Sequence, residues 1–375
     1  MTGRPPRHWF DLSPDERVRV LADAGQPAWR AAQIGAHLFG RGESDPGTWS
    51  DVPTAVKDLL TDRWLPDLLT PVREFTTDAG RTVKTVWRTA DGNLIESVLM
   101  RYPRRNTLCV SSQAGCGMGC PFCATGQGGL VRNLSAGEIT WQVAAAQTAL
   151  AEGRLGGGPG HLNNIVFMGM GEPLANYGAV LAAIRGLVRP APDGFGHAAR
   201  GITVSTVGLV PQIRRLAAEG LPLTLAVSLH APEDALRDRL VPMNARFGVD
   251  AVLDAAWDYA RVTKRRVSVE YALMRDLNDA PALADELGRR LRARGDWAWA
   301  HVNLIPLNPT PGSEWTASRP EVMDAFEARL VHVGVPVTRR DTRGRDIDGA
   351  CGQLAARAAG GDGEGPAARV APNRP

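Results

Sequence analysis

From residue 135 to residue 340 the chain alternates runs that read as helices with runs that read as strands, and no other feature restricts its fold as strongly. Strand-type runs fall at 164–168, 202–206, 224–229, 267–273, 301–307 and 335–340. Between them, apolar residues recur at helical spacing over 135–151, 179–188, 210–218, 252–262, 282–294 and 319–333. Strands joined by crossover helices pair in parallel and keep the helices outside. The expected class is therefore α/β, with the parallel sheet either open or closed into a full or partial barrel. Polar residues at the carboxyl ends of such strands converge, which draws attention to Ser205, to Ser228-Leu229-His230 and to Asn308. Each also has a plain alternative as the cap of the following helix.

The flanks differ in pattern. Residues 1–75 read as helical: Ser13-Pro14-Asp15-Glu16 is a capping box, and helical spacing continues over 29–39 and 53–60. Residues 76–105 read as a short β linker, with strands at 82–88 and 93–101 joined across Asp91-Gly92. A third strand, 107–112, leads into a loop that holds three of the five cysteines. Residues 106–354 form the main domain, 153–160 is a Gly-rich loop, and the Ala/Gly/Pro-rich tail 355–375 is expected to be disordered. Forty-three basic against 40 acidic residues leave a net charge of +3, which gives no supercharged arm. Apart from Lys57, Lys84 and Lys264 the basic residues are arginine, whose planar fork suits phosphate but which a GC-rich genome also favours. No run approaches the ~20 apolar residues of a membrane span, and the N-terminus lacks a signal-type apolar core, so a cytoplasmic, membrane-free protein is expected.

The cysteine loop reads Ser112-Gln113-Ala114-Gly115-Cys116-Gly117-Met118-Gly119-Cys120-Pro121-Phe122-Cys123. Three thiols this close cannot all form disulfides, and a structural zinc site would want a fourth Cys or His, which is not visible nearby. Soft thiolates favour iron–sulfur clusters, and three ligands on a four-iron cluster leave one iron open. Zinc and a simple redox cluster remain the alternatives. Gly115, Gly117 and Gly119 let the backbone wrap a bulky inorganic core.

The CxxxCxxC spacing, with Phe122 before the last cysteine, resembles the signature of the radical S-adenosylmethionine superfamily. The resemblance implies a partial (β/α)6 barrel and a [4Fe-4S] cluster held by Cys116, Cys120 and Cys123. It also implies that the open iron binds the amino and carboxylate groups of S-adenosylmethionine. Gly169-Met170-Gly171-Glu172-Pro173, after the strand at 164–168, resembles the element that holds the methionyl ammonium in such enzymes. Gly171, Glu172, Ser205, Ser228, Leu229, His230 and Asn308 are thus the candidate cofactor residues.

The run Gly344-Arg345-Asp346-Ile347-Asp348-Gly349-Ala350-Cys351-Gly352-Gln353-Leu354 closely resembles the terminal motif of the adenine carbon-2 methyltransferases of bacterial 23S ribosomal RNA, some of which also act on transfer RNA. Segments 92–100, 111–128, 167–174, 225–242 and 304–312 match that family too, and the resemblance covers roughly residues 10 to 354. It implies that one S-adenosylmethionine methylates Cys351 and that a second, cleaved reductively, generates a 5′-deoxyadenosyl radical. The radical activates the Cys351 methyl group for attack on the base. Cys109 then resolves the covalent RNA adduct through a transient disulfide. Glu96, in the apolar run Leu94-Ile95-Glu96-Ser97-Val98, becomes the candidate base, with burial raising its pKa toward the working pH; on the residues alone it could as well face solvent on an edge.

An RNA substrate, an external electron donor such as flavodoxin, and a monomer complete the implied picture. Three basic clusters could grip phosphates: Lys264-Arg265-Arg266, Arg289-Arg290 with Arg292 and Arg294, and Arg339-Arg340 with Arg343 and Arg345. The second suits a solvated face, and the third lies beside Cys351. The helical N-terminal part, with Trp29 and Arg30, resembles the family's RNA-binding appendage. Methylation at carbon 8 with the same cysteine pair is the competing activity, and a non-catalytic iron–sulfur RNA sensor is the competing class.

Overall fold

A computed structural model describes residues 5–295, 298–308, 310, 312–340, 343–350 and 352–354. Among the described residues one sheet of ten strands organises the fold. It begins with β1 (Leu69–Thr77), β2 (Thr82–Thr89), β3 (Leu94–Tyr102) and β4 (Arg105–Cys109), each antiparallel to the last. A separate two-stranded sheet of β5 (Gln113–Gly115) and β6 (Leu130–Asn133) frames the cysteine loop. The main sheet then continues in parallel from β4 through β7 (Asn164–Phe167), β8 (Ile202–Thr206), β9 (Thr224–Ser228), β10 (Val267–Leu273), β11 (Ala300–Pro306) and β12 (Val337–Arg339). Since β1 and β12 are its two edges, the barrel is partial.

In chain order the helices are α1 (Pro14–Asp23), α2 (Trp29–Gly35), α3 (Thr54–Arg63), α4 (Ala124–Gln127), α5 (Ala136–Ala151), α6 (Tyr177–Val188), α7 (Val210–Ala217), α8 (Asp234–Leu240), α9 (Val249–Thr263), α10 (Pro281–Arg292) and α11 (Pro320–His332). Each parallel crossover carries helix, as the alternating pattern requires. Ser135 and Glu138 cap the start of α5 reciprocally, and prolines open α10 and α11, where a missing N–H costs nothing. One face of β10 is apolar and wholly buried, at Val267, Val269, Tyr271 and Leu273, while Ser268, Glu270 and Ala272 alternate onto the other.

The N-terminal part corrects the sequence reading. Helix ends at Arg63, and residues 69–75, expected to be helical, belong to β1. That strand is mostly exposed, so it lacks both the alternation of a half-buried strand and the apolar run of a buried one. Its pairing with β2 makes it a strand, and the register shift at Pro71 is tolerated on an edge. The helices before it carry a core of their own, including Trp9, Leu21, Ile34, Trp49, Val56 and Leu60. They dock on the barrel through Asp11, which accepts from the Gly137 N–H at 2.5 Å, and through Arg17, which donates to the Asp193 carbonyl at 2.9 Å.

Candidate functional site

The cysteine loop leaves the carboxyl end of β4 and sits on an apolar patch of Ala231, Leu240, Val241, Ala272, Met274 and Leu307. Its shape depends on Gly115 at φ +76°: a Cβ there would lie 2.1 Å from the Gly129 carbonyl oxygen, so any side chain would force β5 and β6 apart. The Cys116 N–H donates to that same oxygen at 2.8 Å. Cys116, Cys120 and Cys123 then line one wall of a single cavity, with Met118 and Phe122 among them.

Burial, then the nearby Cys123 and Glu172, push the Cys116 thiol up to about 11, against a backbone hydrogen bond that favours the thiolate; burial, followed by the other two thiols, drives Cys120 higher still. Such thiols stay protonated unless a cation takes the proton's place, which is what a coordinating metal does. No three His, Cys, Asp or Glu residues that could hold a metal ion group together among the described residues. The three-thiol wall nevertheless suits a cluster, because its donor set is the soft one that iron–sulfur clusters take.

The opposite wall is built from the carboxyl ends of the following strands. Gly171, at φ +101°, brings the loop after β7 so close to Gln113 that a Cβ would lie 2.5 Å from that side chain. The adjacent Glu172 N–H donates to Gln113 Oε1 at 2.8 Å. The Glu172 carboxylate accepts from the Leu174 N–H at 3.0 Å and the Val207 N–H at 2.9 Å. Burial raises its pKa to about 7, against the backbone bonds that favour the charge. Ser205 and Ser228 face each other at 3.4 Å between their hydroxyls, and Asn308 joins them in the lining.

His230 takes a positive φ of 62°, and its Nδ1 accepts from the Ala272 N–H at 3.0 Å, which leaves Nε2 as the protonated nitrogen. Burial and then Arg237 lower its pKa to about 3, so the ring is neutral. It meets Phe122 edge-on at 4.9 Å, which ties the β9 end to the cysteine loop. Leu229 is the exception among the expected cofactor residues. Its side chain is fully buried in the main core, and its carbonyl oxygen accepts from Arg237 at 3.0 Å. Alternation along the strand end puts it on the face opposite its neighbours.

Glu96 and Cys109 do not line this cavity, but strand register relates them. Val98 pairs with Cys109 across β3 and β4, and Glu96 pairs with Val86 across β2 and β3. Glu96, Val98 and Cys109 therefore share one face of the sheet. β3 lies between two neighbours, so the edge alternative fails and Glu96 is buried at 4% exposure. A countercharge accompanies it: Lys84 Nζ stands 3.7 Å from Glu96 Oε1. Cys351 itself lies outside the described residues. Next to it, Gly352 lines the cavity and its carbonyl accepts from the Ala124 N–H at 2.8 Å.

Two charged cavity residues, Glu270 and Arg340, were not among the expected cofactor residues. Glu270 on β10 accepts from Ser268 at 2.5 Å and from Asn303 at 2.6 Å. A charge inside an otherwise apolar strand, the signal used for Glu96, was present there too. Arg340, expected to help grip RNA phosphates, lines the cavity, whereas Arg339 pairs with Asp324 and Glu327. Arg289, Arg290 and Arg294 pair with Glu286, Asp250 and Asp254, as a solvated face does. Arg265, with partners at Arg200 and Thr224, sits at the amino ends of the strands, away from the cavity.

A profile of the Radical SAM superfamily matches residues 110–287. The protein named "Probable dual-specificity RNA methyltransferase RlmN" in Cutibacterium acnes is 61% identical over 360 residues, covering 94% of this chain and 89% of that protein. Its namesake in Thermobifida fusca is 62% identical over 352 residues, covering 94% and 95%. Among solved structures, a radical SAM methyltransferase from Sphaerobacter thermophilus superposes with a TM-score of 0.89 at 46% identity, covering 94% of this chain and all of that one.

Proposed function

Because the chain belongs to the dual-specificity RNA methyltransferase family RlmN of the radical SAM superfamily, we propose that it methylates carbon 2 of an adenine in 23S ribosomal RNA and of an adenine in transfer RNA. The observation that carries this reading is the meeting of three cysteines with the polar strand ends in one cavity whose rim includes Gly352, next to Cys351. Carbon 2 of adenine lies between two ring nitrogens and is too electron-poor to attack a sulfonium methyl group directly. A [4Fe-4S] cluster on Cys116, Cys120 and Cys123, with S-adenosylmethionine, supplies when bound both the methyl group and the radical chemistry that avoids this obstacle. Glu172, Ser205, Ser228, His230 and Asn308 line the place where the cofactor is held.

The chain's own residues do the rest. Cys351 carries the methyl carbon and becomes linked through it to the base. Glu96 takes the proton from carbon 2 of the adduct. The Cys109 thiolate attacks the Cys351 sulfur, forming a disulfide. The bond between that sulfur and the methylene breaks, its electron pair stays on carbon, and a proton completes the methyl group. The target adenine leaves its stack to reach the cavity, since chemistry on a base requires exposing it. An external reductant such as flavodoxin completes the cycle, and the N-terminal helices assist in holding the RNA. No helix among the described residues is long and apolar enough to cross a membrane.

The test is anaerobic incubation of reconstituted protein with methyl-labelled S-adenosylmethionine, a reductant and a 23S RNA fragment, followed by nucleoside mass spectrometry. Labelled 2-methyladenosine with matching 5′-deoxyadenosine is the expected product. An 8-methyladenosine product would move the protein to the competing regiochemistry, and cofactor cleavage without RNA methylation would overturn the substrate.

A further inference from the structure

Lys84 is one of three lysines in the chain, and its side chain is only 6% exposed. An ammonium is costly to bury without partners. Lys84 has three within the same small space. Its Nζ is 3.7 Å from Glu96 Oε1, donates to the Asp348 carbonyl at 3.3 Å, and lies 4.7 Å from the centre of the Phe75 ring. Register explains the first and last of these. Phe75 pairs with Lys84 across β1 and β2, and Lys84 pairs with Val98, which places Lys84 diagonally from Glu96 on the face that also carries Cys109. Asp348 belongs to the C-terminal segment and lies three residues before Cys351.

We propose that Lys84 is a positioning residue for the methyl transfer: it holds the Glu96 carboxylate and, through the Asp348 carbonyl, seats the Cys351 segment against the same face. The proposal rests on the roles given above to Glu96 and Cys351. An ammonium suits both tasks, because three donors on a flexible stem can serve a carboxylate and a carbonyl at once. Other anchors of the segment lie elsewhere. Asp346 accepts from Thr77 at 2.5 Å, Arg343 donates to the Arg101 carbonyl at 3.2 Å, and Leu354 accepts from Thr125 at 2.5 Å. Lys84 joins the segment to the base itself, so seating the segment and orienting the carboxylate become one event.

A merely structural ion pair would alter stability alone, so the test reads two other quantities in the full-length reconstituted protein. In Lys84→Gln, amides of residues 343–354 should exchange with deuterium ~10-fold faster, the scale of one lost charge-assisted hydrogen bond, while β2 and β3 stay protected. With S-adenosylmethionine, reductant and the 23S RNA fragment, Cys351 should still be methylated, whereas covalent protein–RNA adduct accumulates as in Glu96→Gln. Lys84→Arg should restore both readouts in part. Wild-type exchange of 343–354, or a wild-type adduct fraction, overturns the proposal. Should Lys84→Gln fail to fold, the charge-free pair Lys84→Met with Glu96→Leu replaces it in the exchange test, where unchanged exchange again overturns the proposal. If wild-type protein gives no methylated RNA, the functional reading fails, and the exchange comparison still decides whether Lys84 seats the segment.

Discussion

Cys109 shows how little a residue's identity says without its neighbours. In the chain it is a cysteine between Leu108 and Val110; in the structure it is 6% exposed and shares a sheet face with Glu96 and Lys84. If it is the resolving thiol, Cys109→Ala should leave Cys351 methylation intact and trap the protein covalently on RNA, visible as a shifted band under denaturing conditions. Release of methylated RNA at the wild-type rate would remove it from the mechanism. At this scale spacing alone singled out Cys116, Cys120 and Cys123, and the structure brings the three to one cavity. The reading was incomplete where a polar residue hides in an apolar strand. Glu96 and Glu270 give the same local signal, and only packing reveals that Glu270 is tied to Ser268 and Asn303 at the cavity wall.

At the scale of elements, Arg132 on β6 joins three pieces of the chain. It donates to both carboxylate oxygens of Asp91, in the β2–β3 turn, at 2.6 and 2.8 Å, and to both of Glu138, in the first turn of α5, at 2.8 and 2.7 Å. The guanidinium holds Asp91 well below the usual carboxylate range. Arg132→Met would leave two buried carboxylates facing each other uncompensated, at a cost of about 3–5 kcal/mol in urea unfolding. A cost under 1 kcal/mol would mean that water replaces the arginine. The capping box at Ser13 was legible in advance because caps are local, whereas the one at Ser135 emerged with the structure. The sheet of β5 and β6 was not legible, because its strands are three and four residues long and are held together by one register-shifted ladder around the cysteine loop.

Across the whole molecule, His8 joins the helical N-terminal part to the barrel. It caps the Trp9–Asp11 turn, with Nδ1 accepting from the Phe10 N–H at 3.0 Å, and its ring meets Trp141 of α5 edge-on at 5.5 Å. Burial, helped by Arg17, lowers its pKa from 6.5 to about 3. The folded protein therefore refuses a proton that the unfolded chain accepts, so this contribution to stability is complete above pH 6.5 and is lost as pH falls toward 3. His8→Asn keeps an N-cap acceptor without the titration, so its Tm should fall less than that of the wild type between pH 6.5 and 4. Equal slopes would show that His8 is not the group responsible. By itself, the sequence determined the βα alternation, the three-thiol loop and the family motifs, because periodicity, spacing and capping act over a few residues. The tertiary structure alone decided that β1 is a strand, that Leu229 faces away from the cavity, and that Lys84, Glu96 and Cys109 share one face. Those facts follow from register between strands and from what covers each face, and a one-residue slip in pairing would send the same side chains to the other side.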